Sequence, residues 1–278
     1  MQPAAMPSAT APGPRVVRWA RGHAERHRWL SPLLLTLLLL VLWDLAVLVS
    51  QVSPLTVPRP WDVLASSVLR APLFLRHLPI TGLEVILGFL VATLLGTALG
   101  VVIASSRLVG DAVYPVLIAT QVMPKIAIAP LLIIWFGFGI PSKLVLTALI
   151  AFFPIVINTV VGLNMTRQTD VYLFRIMGAT RWQMFWKLRL PAALPVFFAG
   201  LKVAATLAVI GAVVGEFTGA NSGLGYLLML QVGHLDTAAA FGSVLYLTLL
   251  GLLIFFGVTL VERLFVPPHM LRRFDPQS

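Results

Sequence analysis

Five ionisable residues lie in or next to the apolar stretches of this chain: Asp44, Glu84, Lys125, Lys202 and Glu216. Charged side chains are costly in a lipid interior, so each is a candidate for an ion pair or for contact with a polar ligand. They form neither the repeated carboxylate pair of an intramembrane aspartyl protease nor a proton-relay chain. We expect structural roles for four of them. Lys202 can extend to a membrane surface, and Glu216 is predicted near external water, where it could also line a path.

Lys125 stands apart because Pro124 precedes it and Pro130 follows five residues later. Two prolines six positions apart remove two backbone donors and therefore predict a kinked or broken helix. Broken helices are tolerated in membranes where they line a cavity. We therefore expect Pro124, Lys125 and Pro130 to line a translocation path. The alternative is a buried ion pair of Lys125 with Glu84 or Asp44.

Several kinds of catalytic or metal site are excluded because the sequence lacks the residues that they need. No lysine follows a glycine, so the chain has no Gly-Lys-Ser/Thr phosphate-binding loop for ATP. The chain has no cysteine, which excludes disulfides, thiolate metal sites and a cysteine nucleophile. We expect no metal, because the histidines fall outside the apolar stretches: His23, His27, His77, His234 and His269.

The composition is that of a membrane protein. Of 278 residues, 59% are hydrophobic and only 11% are charged, against about 25% charged in soluble domains. Six apolar runs are long enough to cross a bilayer, and continuous runs predict helices rather than barrel strands. They cover residues 30–52, 80–105, 112–136, 142–163, 195–214 and 238–261. We expect a disordered basic tail at 1–28, a transmembrane domain at 29–265 and a second tail at 266–278. No small-x-small cleavage site follows the first run, which disfavours a signal peptide.

The net charge of +10 is distributed as in membrane proteins rather than on one nucleic-acid-binding face. Fourteen Lys and Arg residues fall in the two tails and in the second and fourth loops. Four fall on the opposite side: Arg59, Arg70, Arg76 and Lys143. The excess predicts that both termini are cytoplasmic.

The fourth loop, residues 166–191, carries strong local signals. Asp170 can cap a short helix that ends at Gly178 in the left-handed conformation. Thr180 and Gln183 can form a capping box for a second helix, which Pro191 would stop. Both helices are amphipathic. The pattern fits either a helix lying on lipid or a projection that docks into a partner's groove, and periodicity alone leaves both open.

The loop resembles the EAA loop of binding-protein-dependent ABC importer permeases. Gly178 matches the family's glycine and residues 188–191 match its terminal I/V-x-L-P, although residues 172–174 are Tyr-Leu-Phe instead of Glu-Ala-Ala. Further segments are similar to the nitrate/sulfonate/taurine subfamily: 57–64, 133–137, 191–195, 200–202, 215–217 and 222–226.

This resemblance implies a six-helix permease fold of type I (MetI-like) in the bacterial inner membrane. It implies a non-enzymatic subunit that pairs with a second permease copy, two ABC ATPases and a periplasmic or lipid-anchored binding protein. Any ATP and Mg would be bound by the ATPases, with no cofactor in this chain. It assigns the ATPase contact to Phe174, Arg175, Met177, Gly178, Ala179, Thr180, Arg181 and Trp182.

The implied cargo is a small organic or anionic nutrient: a sulfonate, taurine or nitrate, or a molecule like a pyrimidine, thiamine precursor or riboflavin. The alternative is a self-sufficient secondary transporter, which would need internal repeats and coupling-ion ligands at the membrane midplane. The sequence shows no convincing repeat. A membrane enzyme is disfavoured by the missing catalytic clusters.

Overall fold

A computed structural model describes residues 30–266, and these residues form helices joined by short connections. Most of each predicted tail lies outside the described residues. In chain order the helices are α1 (Leu30–Ser50), α2 (Pro60–Leu69), α3 (Ala71–Ser105), α4 (Arg107–Val122), α5 (Ala129–Phe136), α6 (Ile140–Asn164), α7 (Gln168–Ile176), α8 (Arg181–Met184), α9 (Leu190–Gly219), α10 (Leu224–Gly233) and α11 (Thr237–Phe265).

The structure supports the predicted number of spans. Five helical segments are long and apolar enough to cross a membrane, and the bent α4–α5 pair brings the total to six when it is counted as one span. The predicted break near Pro124 is confirmed, because the two halves of this span meet at 81° around a 3₁₀ turn, Lys125–Ile128. Proline cannot donate to the helical ladder, which accounts for the break at this point.

Two helices differ from the sequence prediction. Helix α3 begins at Ala71 rather than near residue 80 and has 35 residues. At 1.5 Å per residue it extends about 50 Å, well beyond the roughly 30 Å hydrocarbon core. The predicted loop between the last two spans contains the short apolar helix α10, whose ten residues are too few to span a membrane.

The chain divides into two compact units, residues 1–62 and 63–278. In the described part of the first unit, the apolar helix α1 carries one acid, Asp44. Arg59 donates to Asp44 twice, from Nε to Oδ1 at 2.9 Å and from Nη2 to Oδ2 at 3.0 Å. This bidentate geometry compensates the charge of Asp44, in agreement with the structural role predicted for it.

In the second unit, α6 is the central helix, and α3 and α9 pack closely against it. A Cβ added at Gly88 of α3 would lie 2.4 Å from the side chain of Thr147 on α6. A Cβ added at Gly211 of α9 would lie 2.7 Å from the Thr147 Cα. Other glycines also pack closely, since Gly96, Gly100, Gly215 and Gly219 all have a neighbour within 3.2 Å of an added Cβ.

Candidate functional site

The exposed turn after α7 has the conformation that the sequence predicts. Gly178 adopts φ +74°, in the left-handed region. The Gly178 N–H donates to the Arg175 carbonyl and the Ala179 N–H donates to the Phe174 carbonyl, both at 3.0 Å. These two bonds make a Schellman motif, in which the carbonyls at the end of a helix are satisfied by the turn itself.

A capping box follows immediately. The Gln183 N–H donates to Thr180 Oγ1 at 3.2 Å, and the Thr180 N–H donates to Gln183 Oε1 at 2.9 Å. The predicted cap of the preceding helix is wrong, because Arg167 occupies that position and Asp170 lies in the first turn. Both ends of the turn are therefore fixed by local hydrogen bonds, and the turn is stiff.

Pro191 does not end the second helix as predicted. Helix α8 continues through a π-helical turn, Phe185–Arg189, directly into α9. The Leu190 N–H donates to the carbonyl of Phe185, five residues back, and this wider turn comes immediately before Pro191, which lacks an N–H. A continuous helix of 39 residues, Arg181–Gly219, results.

Large apolar side chains project from this turn. Ile176 is 85% exposed, Met177 74% and Trp182 69%. These side chains are available for contact with lipid or with a partner protein. The eight predicted coupling residues all lie around this one turn, with Phe174 and Ala179 half-buried and Arg175, Met177, Gly178, Thr180, Arg181 and Trp182 exposed.

A cavity of about 920 Å³ lies beside the turn. The ends of α3 and α6, the start of α4, and α7 form its walls. Its polar side chains are Asp111, Tyr114, Asn164, Gln168, Arg175 and Arg189. A polar cavity therefore lies next to the turn.

Lys125 begins the 3₁₀ turn of the broken span and is half-buried. Its Nζ lies 6.0 Å from the centroid of the Phe153 ring, at the limit of a cation–π contact. The alternative ion pairs are wrong, because Glu84 pairs with Lys143 and Asp44 with Arg59. Pro124 and Pro130 flank it and are exposed. The path role of these three residues remains a prediction.

A buried ionic cluster that the sequence did not predict lies between the middle of α3, the start of α6 and the last turns of α9. Lys143 Nζ donates to Glu84 Oε1 at 2.6 Å, and the two side chains are 7% and 1% exposed. Lys143 was counted among the basic residues of the external side, at the start of the span 142–163. It occupies the first turn of α6, and its side chain is buried. The two paired residues lie 59 positions apart in the chain, so no local pattern predicts their contact. The only sequence signal is that Thr81, Glu84 and Gly88 lie on one face of α3.

Glu216 belongs to the same cluster and is 2% exposed, so the prediction that it lies near water is wrong. Its Oε1 accepts from Thr81 Oγ1 at 2.7 Å. Its Oε2 accepts from the backbone N–H groups of Gly225 at 2.5 Å and Tyr226 at 3.3 Å. Glu216 therefore fixes the start of α10 to α3 and α9.

The Ser-Gly-Leu-Gly-Tyr segment, residues 222–226, is shaped by this contact. Gly223 has φ +113°, and a Cβ there would lie 2.0 Å from Glu216 Oε1. The Gly223 N–H donates to His77 Nδ1 at 3.0 Å, and the Leu224 N–H donates to Thr81 Oγ1 at 2.8 Å. Glycine is needed because the backbone must approach the carboxylate closely.

Lys202 forms a further ion pair that the sequence did not predict. Its Nζ lies 2.5 Å from Oε2 of Glu262, which is buried. The pair joins α9 to α11, so Lys202 is held inside the bundle rather than extended to the membrane surface.

Several apolar spans and an exposed, doubly capped turn characterise a membrane protein with a surface that could contact a partner. Residues 92–267 match the family described as binding-protein-dependent transport system inner membrane component. The chain belongs to this family and is a permease subunit of an ATP-driven ABC importer, not an enzyme. Membership excludes the alternative of a self-sufficient secondary transporter.

Named relatives support this assignment. The chain is 39% identical over 240 residues to the formylaminopyrimidine transport permease protein ThiX of Halalkalibacterium halodurans, covering 86% of this chain and 95% of that protein. It is 36% identical to the riboflavin transport system permease protein RibX of Chloroflexus aurantiacus, covering 83% and 87%. It is 28% identical to the taurine transport system permease protein TauC of Escherichia coli, covering 89% and 95%.

Two solved structures confirm the predicted fold. An inward-facing form of the MetNI methionine ABC transporter matches with a TM-score of 0.54 and 20% identity, covering 74% of this chain and 94% of that chain. An amino acid ABC transporter crystallised with histidines matches with a TM-score of 0.56 and 15% identity, covering 76% and 98%. At these identities the likeness concerns the fold alone.

The two lysines near the spans should respond differently to removal of their charge. Lys143→Met leaves the buried cluster with uncompensated negative charge, which we expect to destabilise the fold by about 3–5 kcal/mol. Lys125→Met leaves no carboxylate of the described residues without its ion-pair partner. The yield and the thermal unfolding temperature of this variant should therefore match those of the wild type. Thermal unfolding in detergent compares the two variants, and equal destabilisation would contradict these assignments.

Proposed function

We propose that this chain works as a permease homodimer with two ATPases and an external binding protein, and that the turn around Gly178 docks into a groove of the ATPase. The observation that carries this proposal is the exposed apolar turn, held rigid by a Schellman motif on one side and a capping box on the other. A helix that only rested on lipid would not need two caps around a left-handed glycine. The ATP and Mg would be bound by the ATPases.

The continuous Arg181–Gly219 helix supports a mechanism for coupling. One of its ends begins at the turn, and its other end carries Glu216, which holds the start of α10. When ATP draws the two ATPases together, the docked turn moves. The helix then transmits this motion across the membrane, because its backbone continues as one helix from the turn to Glu216. In this mechanism Pro124, Lys125 and Pro130 line the path, whereas Glu216 holds the outer end of the bundle.

The proposed orientation places both termini in the cytoplasm of a bacterial cell, with the chain in the inner membrane. With Lys143 buried, only three basic residues remain on the external side against fourteen on the cytoplasmic side. Arg70, at the start of α3, pairs with Asp236, at the start of α11. Both helices therefore begin on the same side of the membrane, as the proposal requires.

For the cargo we propose a small organic nutrient of the pyrimidine-precursor or riboflavin type. The supporting observation is the identity to permeases named for formylaminopyrimidine and riboflavin, 39% and 36%, against 28% for the taurine permease. The similarity to the first two extends over more than four fifths of this chain.

Docking should depend on the conformation of Gly178. Valine is strongly disfavoured at φ +74°, whereas asparagine tolerates the left-handed region. No atom lies within 4 Å of a Cβ added at Gly178, so Gly178→Asn and Gly178→Val differ in backbone strain rather than in crowding. We expect Gly178→Val to reduce co-purification of the ATPase about tenfold, with membrane insertion intact, and Gly178→Asn to retain most of it. Normal co-purification and transport by Gly178→Val would leave the turn as a lipid-surface element.

Orientation can be measured with reporter fusions in the full chain. A phosphatase that is active only outside the cytoplasm should be active when fused after Gln231 and inactive when fused at Ser278. A fluorescent reporter that matures in the cytoplasm should give the opposite pattern. Phosphatase activity at Ser278 would show that the proposed topology is wrong.

The cargo can be tested with the complete importer in liposomes, including its own binding protein. We expect formylaminopyrimidine to stimulate ATP hydrolysis above the basal rate and taurine to leave that rate unchanged. Stimulation by taurine alone would refute the proposed cargo class without affecting the assignment as a permease.

A further inference from the structure

The buried cluster contains more negative than positive groups. Glu84, Glu216 and Lys143 are 1%, 2% and 6% exposed. Fully ionised, they would carry a net charge of −1 within the bundle. Within residues 63–266 the structure gives the cluster no further cationic partner, since the other ion pairs there are Arg70–Asp236 and Lys202–Glu262. An uncompensated buried charge is costly, so a bound cation or proton is expected at this place.

One buried carboxylate oxygen of the cluster has no hydrogen-bond donor. Glu84 Oε1 accepts from Lys143, but Glu84 Oε2 is buried and has no donor among the described residues. Glu216 belongs to the same cluster, because Thr81, one turn before Glu84 on α3, donates to Glu216 Oε1. Two ionised carboxylates can only accept, so they cannot bond to each other. A proton on Glu84 Oε2 would convert that atom into a donor and would remove the excess negative charge of the cluster.

We infer that Glu84 and Glu216 bind one proton between them, which makes the Glu84–Lys143–Glu216 cluster a neutral proton-binding site inside the permease. The proton belongs mainly to Glu84. Both oxygens of Glu216 already accept hydrogen bonds, from Thr81 Oγ1 and from two backbone N–H groups, whereas Glu84 Oε2 receives none and has room for the proton.

The groups that face the cluster come from every element packed against it. Helix α3 contributes Thr81, α6 contributes Lys143, and the start of α10 contributes the N–H groups of residues 225 and 226. The nearby His77 accepts from the Gly223 N–H at Nδ1, so its ring is neutral in this arrangement. None of these groups cancels the excess negative charge.

The inference gives a definite sign for the pH dependence. At neutral pH the folded permease binds one more proton at this site than the unfolded chain does, because an unfolded glutamate is ionised there. Stability must therefore fall as the pH rises until the proton is lost. Glu84→Gln keeps a neutral group that can donate to Glu216 and accept from Lys143, so this part of the pH dependence should disappear.

Infrared spectroscopy of the full-length permease in lipid nanodiscs at neutral pH tests the site directly. A protonated carboxylic acid has a C=O stretch well separated from the carboxylate bands. We expect this band in the wild type, a shift of it on carboxyl-¹³C glutamate labelling, and its loss in Glu84→Gln. The matched control is Glu262→Gln, which removes another buried glutamate and should keep the band.

Absence of a label-sensitive band in the wild type would overturn the inference whether or not Glu84→Gln folds. Retention of the band in a folded Glu84→Gln protein would also overturn it, because the proton would then reside elsewhere. Sodium is the competing ligand. A thermal unfolding temperature that is unchanged when Na⁺ is replaced by choline at equal ionic strength supports the proton, and a fall on removing Na⁺ contradicts it.

Discussion

Backbone-close packing of α6 between α3 and α9 is the constraint on which the rest of the structure depends. Gly88 and Gly211 approach the same residue, Thr147, from two different helices. In lipid there is little hydrophobic gain from helix association, so close van der Waals contact and interhelical polar bonds must hold the bundle together. One turn earlier on α6, Lys143 bonds to Glu84 of α3 and packs against Gly215 of α9. Small residues and one buried ion pair thus make a rigid three-helix unit.

This three-helix unit is connected at one end to the turn around Gly178 and at the other end to the start of α10. Towards the turn around Gly178, α9 continues through the π-helical turn to Thr180 without interruption. Towards the other end, Glu216 binds the backbone at the start of α10. A displacement at the turn is therefore carried by covalently continuous helix, and no flexible linker absorbs it. The missing Glu-Ala-Ala triplet does not remove this connection, because it depends on backbone geometry and on Gly178.

The sequence predicts the local features of this arrangement well and the long-range ones poorly. The break near Pro124, the left-handed Gly178 and the Thr180–Gln183 capping box all follow from interactions within a few residues, and the structure contains each of them. The ion pair between Glu84 and Lys143 depends on which helices are neighbours, which hydropathy does not encode. The prediction that Pro191 stops the second helix is wrong. A proline normally ends a helix, but here a π-helical turn precedes Pro191 and the helix continues.

The central claim is that the turn around Gly178 is the surface on which the ATPase docks. A photo-crosslinking amino acid placed at Met177, 74% exposed, tests it in the intact importer, with Leu253 of α11, 69% exposed, as the control position facing outward from a span. The account predicts a crosslinked product of permease plus ATPase from position 177 and none from position 253. Crosslinking of position 177 to lipid alone, with the ATPase present in the complex, would contradict it.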